Sequence, residues 1–554
     1  MLSIALLLSA LAQDITINVD AAHPIGPLRP VWNYFGYDEP NYTYMKDGKK
    51  LLSELAGLSP VTVHVRAHNL LTTGDGTAAL KWGSTNVYTE DAAGNPKYDW
   101  TIVDRIFDTY LERKMKPLVE IGFMPEALSV KPQPYRHEWA PDKTYNKIYT
   151  GWAQPPKDYK KWAELVYQWV NHCVAKYGRE EVASWWWEVW NEPDIAYWQG
   201  TPEQYFELYD YAADAVKRAL PAIRIGGPTT TGPKSEKAGK FLRDFLQHAV
   251  SGRNYATGKT GSPLDYISFH AKGRPKFIEN RVQMGSQFQM SDVDAGFAIV
   301  ASFPMLKRLP IIIGESDPEG CAACSVRFHP QNGYRNGTMY SSYTAATFAR
   351  KHDLAAKHGV NFEGAVTWAF EFEGQPYFDG FRDLATNGID KPVLNVFRMF
   401  GLMQGPGALR LPVASSGAVA LADIVTSGVK AQADINGFAS RTDRTIHMMV
   451  WNYHDDDLPS AAAAVRAHVA GIPASAKQVL VREYRIDQDH SNAYRAWQSL
   501  NSPQQPSAEQ YAKLEAAGQL QTIGSPAWRV PVTGALDVDI QLPRQGVSLI
   551  EISW

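Results

Sequence analysis

Eight short apolar runs dominate the sequence between residues 31 and 370, and helical patterns or long loops separate them. Each run has the length and the β-branched or aromatic content of a buried strand. The runs are Val31–Gly36, Val61–Ala67, Pro117–Gly122, Trp185–Asn191, Ile223–Gly227, Asp265–His270, Pro310–Glu315 and Gly364–Phe370. Because strands that alternate with helices form parallel sheets, eight such repeats predict an α/β fold with a closed (β/α)8 TIM barrel.

Helix signals flank the fourth run. In 159–177, apolar residues recur at three- and four-residue spacing before Gly178, a residue that suits the position after a helix end. Residues 201–204 read Thr-Pro-Glu-Gln, a capping box with proline at the first helical position, and predict a helix through about Leu220. A strand between two helices is the repeating unit that the barrel requires.

The composition changes near residue 405, and a chain of 554 residues exceeds what one core usually serves. We expect the barrel to occupy residues 30–404 and an accessory β-sandwich with a helical insert, 491–517, to occupy residues 405–554. Residues 13–29 carry a further strand, 15–19, that would join this sandwich. The strand-like runs of the second part are Thr445–Asn452, Lys477–Tyr484 and Gly546–Trp554.

Residues 1–12 have the apolar stretch and the small-residue cleavage site of a signal peptide, although no Lys or Arg precedes the stretch. We therefore expect a periplasmic or secreted protein, with a cytoplasmic protein and a buried first strand as the alternative. The cysteines form no disulfide framework. Cys173 lies on the apolar face of a helix, whereas Cys321 and Cys324 form either a local disulfide or two free thiols.

Charge and hydropathy exclude several classes of partner. The net charge is −3 and no basic block occurs, so we expect no nucleic-acid or anionic-membrane partner. No apolar run approaches the ~20 residues of a membrane span. The 17 Trp, 27 Tyr and 21 Phe fit either a well-packed core or a surface that stacks on a flat ligand. A homo-oligomer remains open.

Two glutamates end predicted barrel strands, Glu192 after the fourth run and Glu315 after the seventh. Functional groups of TIM barrels lie at the carboxyl ends of the strands, so the two carboxylates would face one another. Either glutamate alone would more often cap a helix or pair with an arginine. A facing pair is the equipment of a glycoside hydrolase.

The sequence around these glutamates resembles glycoside hydrolase family 39 of clan A. The resemblance rests on Glu-Val-Trp-Asn-Glu-Pro-Asp at 188–194, Val-Arg-Ala-His at 65–68, and the layout of barrel plus sandwich. Members of that family are mainly β-xylosidases, with α-L-iduronidases as the other branch. The stretch Ser316–Cys321 departs from many members and indicates a distinct subgroup.

The resemblance implies a retaining enzyme without cofactor or metal. Glu192 would be the general acid and base, with a pKa raised by apolar walls and the neighbouring anion, and Glu315 the ionised nucleophile. We expect an exo-acting β-xylosidase that releases xylose from the non-reducing end of xylo-oligosaccharides. Its substrates would be xylo-oligosaccharides or aryl and alkyl xylosides.

Four further residues lie beside strand ends. Asn191 would bind the sugar 2-hydroxyl, as in similar clan A enzymes. Arg66 would keep Glu315 ionised, or else form a structural ion pair with the buried Glu188. His68 and His270 would donate to sugar hydroxyls, although a lone histidine is as often structural.

Three more residues are candidates, and the resemblance supports two of them, Trp368 and Glu373. Trp368, at the end of the eighth run, would stack under a pyranose ring, and Glu373 would accept from ring hydroxyls. The spacing is short for the family, so Glu371 is an alternative to Glu373. Tyr334 follows the nucleophile on a long loop and would also contact substrate.

Other readings compete with this function. The run 252–260 resembles a phosphate loop, but the spacing of its glycines is wrong. The run 454–457 invites a metal site but fits a hairpin tip better. An α-L-iduronidase would need a basic group, for which Lys272 and Arg274 qualify, and another pentosidase or a non-catalytic carbohydrate-binding protein also remains. An endo-enzyme is disfavoured, because long segments after strands two, three, six and seven would form the walls of a pocket.

Overall fold

A closed barrel of eight strands forms the centre of the protein in a computed structural model that describes residues 15–142 and 148–554. Its strands are Tyr34–Tyr37, His64–Ala67, Lys116–Ile121, Trp186–Val189, Arg224–Thr230, Tyr266–Phe269, Pro310–Ile313 and Asn361–Thr367. All neighbours pair in parallel, and the eighth strand pairs with the first to close the barrel. The predicted (β/α)8 fold is therefore confirmed. The signal peptide predicted at residues 1–12 lies outside the described residues, so export stays a prediction.

A helix follows each barrel strand. These helices are Lys46–Gly57, Thr101–Leu111, Tyr159–Tyr177, Pro202–Ala219, Glu236–Ser251, Ser286–Ala301, Thr338–His358 and Pro392–Leu402. The two helices read from the sequence are confirmed, and Thr201 and Gln204 form the expected reciprocal capping box. None of the helices in the described residues is long and apolar enough to cross a membrane.

The tryptophans around the fourth strand serve mainly as core. Trp185 and Trp187 point outwards. Trp187 packs edge-on against Trp169 of the preceding helix, Tyr159–Tyr177, at 5.3 Å between ring centroids. Trp186 and Glu188 alternate with them and point into the barrel. The interior is apolar at the level of Trp186 and charged at the level of Glu188, one layer nearer the carboxyl ends. This alternation brings a charged layer directly beneath the catalytic face.

Two further sheets form the sandwich beside the barrel. The first sheet contains Val413–Ser415, Ile15–Asp20, Ala463–Ala470 and Ala535–Leu542. The second contains Gly26–Pro27, Leu409–Leu411, Asp434–Arg441, Thr445–Tyr453, Val547–Ser553, Val479–Ile486, Gln521–Thr522 and Ala527–Arg529. The N-terminal strand Ile15–Asp20 pairs in parallel with Ala463–Ala470. Two short helices, Ala493–Ser499 and Ala508–Gly518, form the insert.

Buried polar contacts attach the sandwich to the seventh barrel helix, Thr338–His358. Ser342 donates to the side chain of Gln545 at 2.6 Å, and Arg350 forms an ion pair with Asp434 at 2.7 Å. Because these groups are buried, separating the two parts would leave a charge and a carboxamide without partners.

Candidate active site

The backbone after the fourth strand is strained where it delivers Glu192. Trp190 has φ of 71° and Glu192 has φ of 44°, both in the left-handed region that side chains other than glycine rarely adopt. Glu192 donates its amide to the Thr229 carbonyl at 2.9 Å, and the Thr229 hydroxyl donates to the Trp190 carbonyl at 3.1 Å. Such strain costs about 1–3 kcal/mol per residue and persists where the surroundings hold it. The fifth strand thus holds the Glu192 carboxylate in place.

Glu192 and Glu315 meet at the carboxyl end of the barrel, together with His270. Ligand atoms of these three side chains all lie within 4.8 Å of one another. Retaining glycosidases hold their two carboxyl groups about 5–5.5 Å apart, whereas inverting enzymes need about 6.5–9.5 Å to admit a water. The observed distance of at most 4.8 Å is just below the range of retaining enzymes and well below the range of inverting enzymes.

A cavity of about 410 Å³ opens above this pair. Its polar lining includes Asp38, Lys81, Glu192, Thr231, Ser235, His270, Lys272, Arg274, Asp292 and Glu315, with Tyr149, Ile195 and Tyr197 on its apolar side. The volume is within the range of small-molecule sites, about 300–1,000 Å³. The lining therefore combines hydrogen-bonding groups with aromatic and apolar side chains.

Lys272 and His270 set the charge state of both carboxyl groups. The Lys272 ammonium contacts Glu315 directly and lies 3.7 Å from Glu192, and His270 Nδ1 lies 2.8 Å from Glu192 Oε1. Burial raises both pKa values, but Lys272 and His270 outweigh burial. The pKa of Glu315 is held well below its ordinary value, as a nucleophile requires. The pKa of Glu192 is also lowered.

The expected rise in the pKa of Glu192 is therefore wrong for the unliganded protein. Burial and the Glu315 anion do raise the pKa of Glu192, as expected. The Lys272 ammonium, 3.7 Å from the carboxylate, and the hydrogen bond with His270 lower it by more. Protonation of Glu192, which acid catalysis needs, consequently requires acidic solution or a substrate that alters the position of Lys272.

Glu192, His270 and Glu315 form the one set of potential metal ligands found in residues 15–142 and 148–554. The Lys272 ammonium already contacts Glu315 there, so an added cation would meet like charge. We therefore interpret the three side chains as a carboxylate pair with a hydrogen-bonding partner.

Arg66 is a buried hub beneath the carboxylate pair, and its side chain is 0% exposed. It forms ion pairs with Glu120 at 2.8 Å, with Glu188 at closer range and with Glu315 at 3.4 Å. Its Nη2 also donates to the Asn191 side-chain carbonyl at 3.0 Å. Both alternatives for Arg66, the contact with Glu315 and the ion pair with Glu188, are thus present. Arg66 orients Asn191 and stabilises the Glu315 anion.

His68 belongs to the same buried network. Its Nδ1 lies 2.6 Å from Glu120, and its Nε2 lies 3.3 Å from both Glu315 and Asp38. Burial lowers the pKa of His68, but Glu120 and Glu315 outweigh burial and raise it to about 9. His68 is therefore a cation at neutral pH and favours the Glu315 anion. It does not line the main cavity, whereas His270 does.

Of the seven residues predicted to contact substrate, only His270 lines this cavity, whereas Asn191, Arg66, His68, Trp368, Glu373 and Tyr334 do not. Trp368 is 1% exposed, its ring packs on His68 at 4.4 Å, and its Nε1 donates to Asp38 at 3.1 Å. The Glu373 carboxylate accepts from the Asp47 amide at 2.9 Å, at the start of the first barrel helix. Tyr334 is buried against Tyr340 at 5.6 Å between ring centroids.

Trp368, Glu373 and Tyr334 make these contacts outside the main cavity, and their roles as substrate contacts stay predictions. The alternative Glu371 also lies outside the cavity, because its carboxylate accepts from the Gly388 amide at 2.7 Å. Trp368 still acts on the site indirectly through Asp38, which does line the cavity.

Sequence reasoning missed Asp38 and Lys81 and assigned Lys272 only as a possible carboxylate-binding group. Asp38 directly follows the first strand, and this position was a usable signal. Lys81 contacts Asp38 from the long segment after the second strand, where no local pattern indicates its direction. Cys321 and Cys324 are bonded to each other, and Cys321 lines the cavity. Cys173 is a buried free thiol, as expected.

The family model for glycosyl hydrolases family 39 matches residues 15–535. The chain belongs to glycoside hydrolase family 39. Among family 39 relatives, a β-xylosidase of Geobacillus stearothermophilus is 26% identical over 91% of this chain and 88% of its own length. An α-L-iduronidase of Mus musculus is 24% identical over 97% of this chain and 80% of its own length.

Solved structures agree on the fold of this family 39 chain. The crystal structure of a monomeric β-xylosidase from Caulobacter crescentus CB15 has a TM-score of 0.74 at 21% identity. The match covers 97% of this chain and 99% of that one. This similarity concerns the fold, and the family model over residues 15–535 identifies the protein as a family 39 glycoside hydrolase.

Proposed function

We propose that the protein is a retaining, exo-acting β-xylosidase that releases xylose from the non-reducing end of xylo-oligosaccharides. One observation carries the retaining mechanism, the separation of no more than 4.8 Å between carboxylate oxygens of Glu192 and Glu315. Glu315 would attack the anomeric carbon while Glu192 protonates the departing oxygen. Glu192 would then deprotonate a water, which attacks the same carbon and releases Glu315.

The surrounding groups have separate tasks in this proposal. Lys272, His68 and Arg66 keep Glu315 anionic before the attack. His270 holds the Glu192 carboxylate by a 2.8 Å hydrogen bond. Asn191, whose carbonyl Arg66 holds, is oriented to leave its amide nitrogen for a sugar hydroxyl.

Exo action is supported by the shape of the site. The cavity has a volume of about 410 Å³, and the long segments after strands two, three, six and seven all contribute residues to its lining. A pocket that closes around one end of the substrate admits a terminal residue and excludes the middle of a chain.

An α-L-iduronidase is a second candidate because Lys272 and Arg274 both line the cavity. α-L-Iduronic acid has the configuration of β-D-xylose at carbons 1 to 4 and adds a carboxylate at carbon 5, so one scaffold can serve both. Lys272 pairs with Glu315 in the unliganded protein, which favours the neutral glycone. An acidic glycone would have to draw the ammonium away from the nucleophile.

A panel of aryl glycosides tests the proposal. The purified protein is incubated with 4-nitrophenyl β-D-xyloside, 4-nitrophenyl α-L-arabinopyranoside and 4-methylumbelliferyl α-L-iduronide, with Glu315→Gln as the inactive control. We expect release of the aryl group from the xyloside, and β-xylose as the first sugar product by NMR. Faster cleavage of the iduronide would establish the second candidate. Sugar binding without cleavage of any glycoside would instead support a non-catalytic protein.

A further inference from the structure

The sixth barrel helix, Ser286–Ala301, is capped at its start by a residue of the sandwich. Its own N-cap residue is Gly285, at φ of 66°, and its first turn contains no acidic residue. The buried Asp455 carboxylate accepts instead from the Ser286 amide, at 3.2 and 3.3 Å. A carboxylate at this position pairs with a helix N–H that has no partner within the helix, and it interacts favourably with the helix dipole.

The turn that carries Asp455, residues 454–457, is itself tied to the barrel. It follows the sandwich strand Thr445–Tyr453. Met284 donates its amide to the Asp455 carbonyl at 2.8 Å, and the Tyr453 hydroxyl donates to the Asp455 carboxylate at 2.6 Å. The acidic run that invited a metal site in the sequence therefore holds the start of a barrel helix.

Gln289, in the first turn of this helix, connects it to two segments of the catalytic face. Its Nε2 donates to the Ala271 carbonyl at 3.1 Å and to the Asp317 carbonyl at 3.2 Å. Ala271 directly precedes Lys272, and Asp317 lies two residues after Glu315. Gln289 is 0% exposed and does not line the catalytic cavity. It can therefore act on the site only through these backbone carbonyls.

Backbone hydrogen bonds join the same two segments to each other. The Ala271 amide donates to the Glu315 carbonyl at 3.0 Å, and the Gly273 amide donates to the Asp317 carbonyl at 3.1 Å. Lys272 lies between these two donors and is thereby held in register with Glu315, whose carboxylate its ammonium contacts.

A second connection from the sandwich also reaches Gln289. Its Oε1 accepts from the Tyr343 hydroxyl at 2.9 Å. The Tyr343 ring packs edge-on against Tyr453 of the sandwich, at 5.7 Å between ring centroids. Both ends of the Gln289 carboxamide are therefore bonded, and two sandwich residues support the elements that hold it.

We propose that Gln289 and Asp455 are positioning residues of the catalytic site, through which the sandwich sets the position of Lys272 relative to the two carboxylates. Asp455 fixes the start of the sixth helix, and Gln289 transmits that position to the segment around Lys272. The inference rests on the proposed function in one respect, because it takes Glu192 and Glu315 as the catalytic pair.

Gln289→Met tests the role of the carboxamide, since methionine has a similar shape but forms none of its hydrogen bonds. A displacement of about 1 Å in a catalytic group can cost about 10²-fold, so we expect kcat to fall about 10- to 100-fold with a smaller change in KM. An opposite charge lowers the pKa of a carboxyl group. A more distant Lys272 ammonium should therefore also move both limbs of the profile of kcat/KM against pH to higher pH.

The double variant Gln289→Met/Lys272→Met isolates the path of this effect. Its two limbs should coincide with those of Lys272→Met, because the ammonium through which Gln289 acts is already absent. The other charged groups that face the two carboxylates form no hydrogen bond with the Gln289 side chain among the described residues. They are Arg66, His68, His270, Arg382, Asp38, Asp194 and Asp317.

Asn395→Leu is the matched control for lost stability. Asn395 is also a buried carboxamide whose nitrogen donates to two backbone carbonyls, those of Ser491 and Gly518. It lies on the eighth barrel helix, Pro392–Leu402, and bonds to the two ends of the helical insert. The control should lower Tm to a similar extent and leave both limbs at their wild-type positions.

Asp455→Ala and Asp455→Asn test the cap. One Asp455 oxygen accepts from Ser286 and from the Val429 amide, and the other accepts from the Tyr453 hydroxyl. In Asp455→Asn the first oxygen can remain an acceptor, because the Tyr453 hydroxyl can turn and accept from the new amide. We expect both limbs to move to higher pH in Asp455→Ala and to return to their wild-type positions in Asp455→Asn.

Two milder variants carry the test where a stronger one does not fold. Tyr343→Phe removes the hydroxyl that holds Gln289, and Tyr453→Phe removes the hydroxyl that holds Asp455. Each should move both limbs in the same direction by a smaller amount.

The rates are measured on the aryl glycoside that the panel identifies, so a different glycone leaves this test intact. Limbs at their wild-type positions in folded Gln289→Met, or an equal movement in the Lys272→Met background, would overturn the role of Gln289. Unmoved limbs in folded Asp455→Ala would overturn the role of the sandwich. If the wild type cleaves no glycoside of the panel, the proposed function fails instead, and that result precedes any variant.

Discussion

Replacement of Glu192 by alanine tests its role through the leaving group. A nitrophenolate departs without a proton, whereas the second xylose of xylobiose does not. Glu192→Ala should therefore strongly slow the cleavage of xylobiose and leave the rate of the first step on 4-nitrophenyl β-xyloside nearly unchanged. The second step also loses its base, so a glycosyl-enzyme on Glu315 should accumulate and give a burst of nitrophenol.

Two effects of Glu192→Ala can be given a size: the difference in rate between the two substrates, and the rescue of turnover by azide. General acid catalysis typically contributes about 10²- to 10⁴-fold, and this factor should separate the two substrates. Azide needs no base and fits the space that the Glu192 side chain vacates. The Lys272 ammonium lies 3.7 Å from the position of the lost carboxylate oxygen. Attraction between unit charges at about 4 Å is worth about 1 kcal/mol in water and about 4 kcal/mol at an effective dielectric of about 20. Azide should therefore bind beside Lys272 and restore turnover.

The assay follows nitrophenol release with and without azide, and NMR of the product. We expect a β-glycosyl azide, whose configuration would also establish retention. Glu192→Gln is the matched control, because it removes the acid but fills the space, so azide should not rescue it. Equal slowing of both substrates in Glu192→Ala, with no effect of azide, would refute the assignment and leave Glu192 a structural residue.

Further perturbations test the nucleophile, the charge network and the packing of the sandwich. Glu315→Gln should abolish turnover of xylobiose and nitrophenyl xyloside alike, and wild-type rates in an assay of either would remove Glu315 from the nucleophile role. The profile of kcat/KM against pH should be bell-shaped, with Glu315 responsible for the acid limb and Glu192 for the alkaline limb. Because the pKa of Glu192 is lowered, kcat/KM should already fall as the pH rises out of the acidic range. Since Lys272 lowers the pKa of both carboxyls, Lys272→Met should move both limbs to higher pH, and an unmoved profile would contradict this electrostatic account. Arg66→Met leaves buried carboxylates unpaired and should lower the free energy of unfolding by about 3–5 kcal/mol. The control Arg466→Met removes an exposed ion pair and should lower it by only about 0–1 kcal/mol, with both values measured by urea denaturation. A chain truncated after residue 404 should be insoluble, and a soluble, active barrel would refute the packing argument.

The sequence by itself determined the barrel and the identity of its two carboxylates. The strand runs are local patterns, because a buried parallel strand needs a short apolar stretch whatever its neighbours are. Glu192 and Glu315 could be found because barrel geometry turns the end of a strand into a position on the catalytic face. Asp38 obeys the same rule, at the end of the first strand, and was therefore within reach of the sequence.

Tertiary structure alone decided the charge state of the site and the residues that enclose it. The pKa of Glu192 depends on Lys272, which is 80 residues away in sequence (272 − 192) and 3.7 Å away in space. Coulomb interactions depend on that spatial distance, which no local pattern encodes. Which side chains line the cavity also depends on the spatial path of the loops: Trp368, Glu373 and Tyr334 follow strands in sequence, but none of them lines the main cavity.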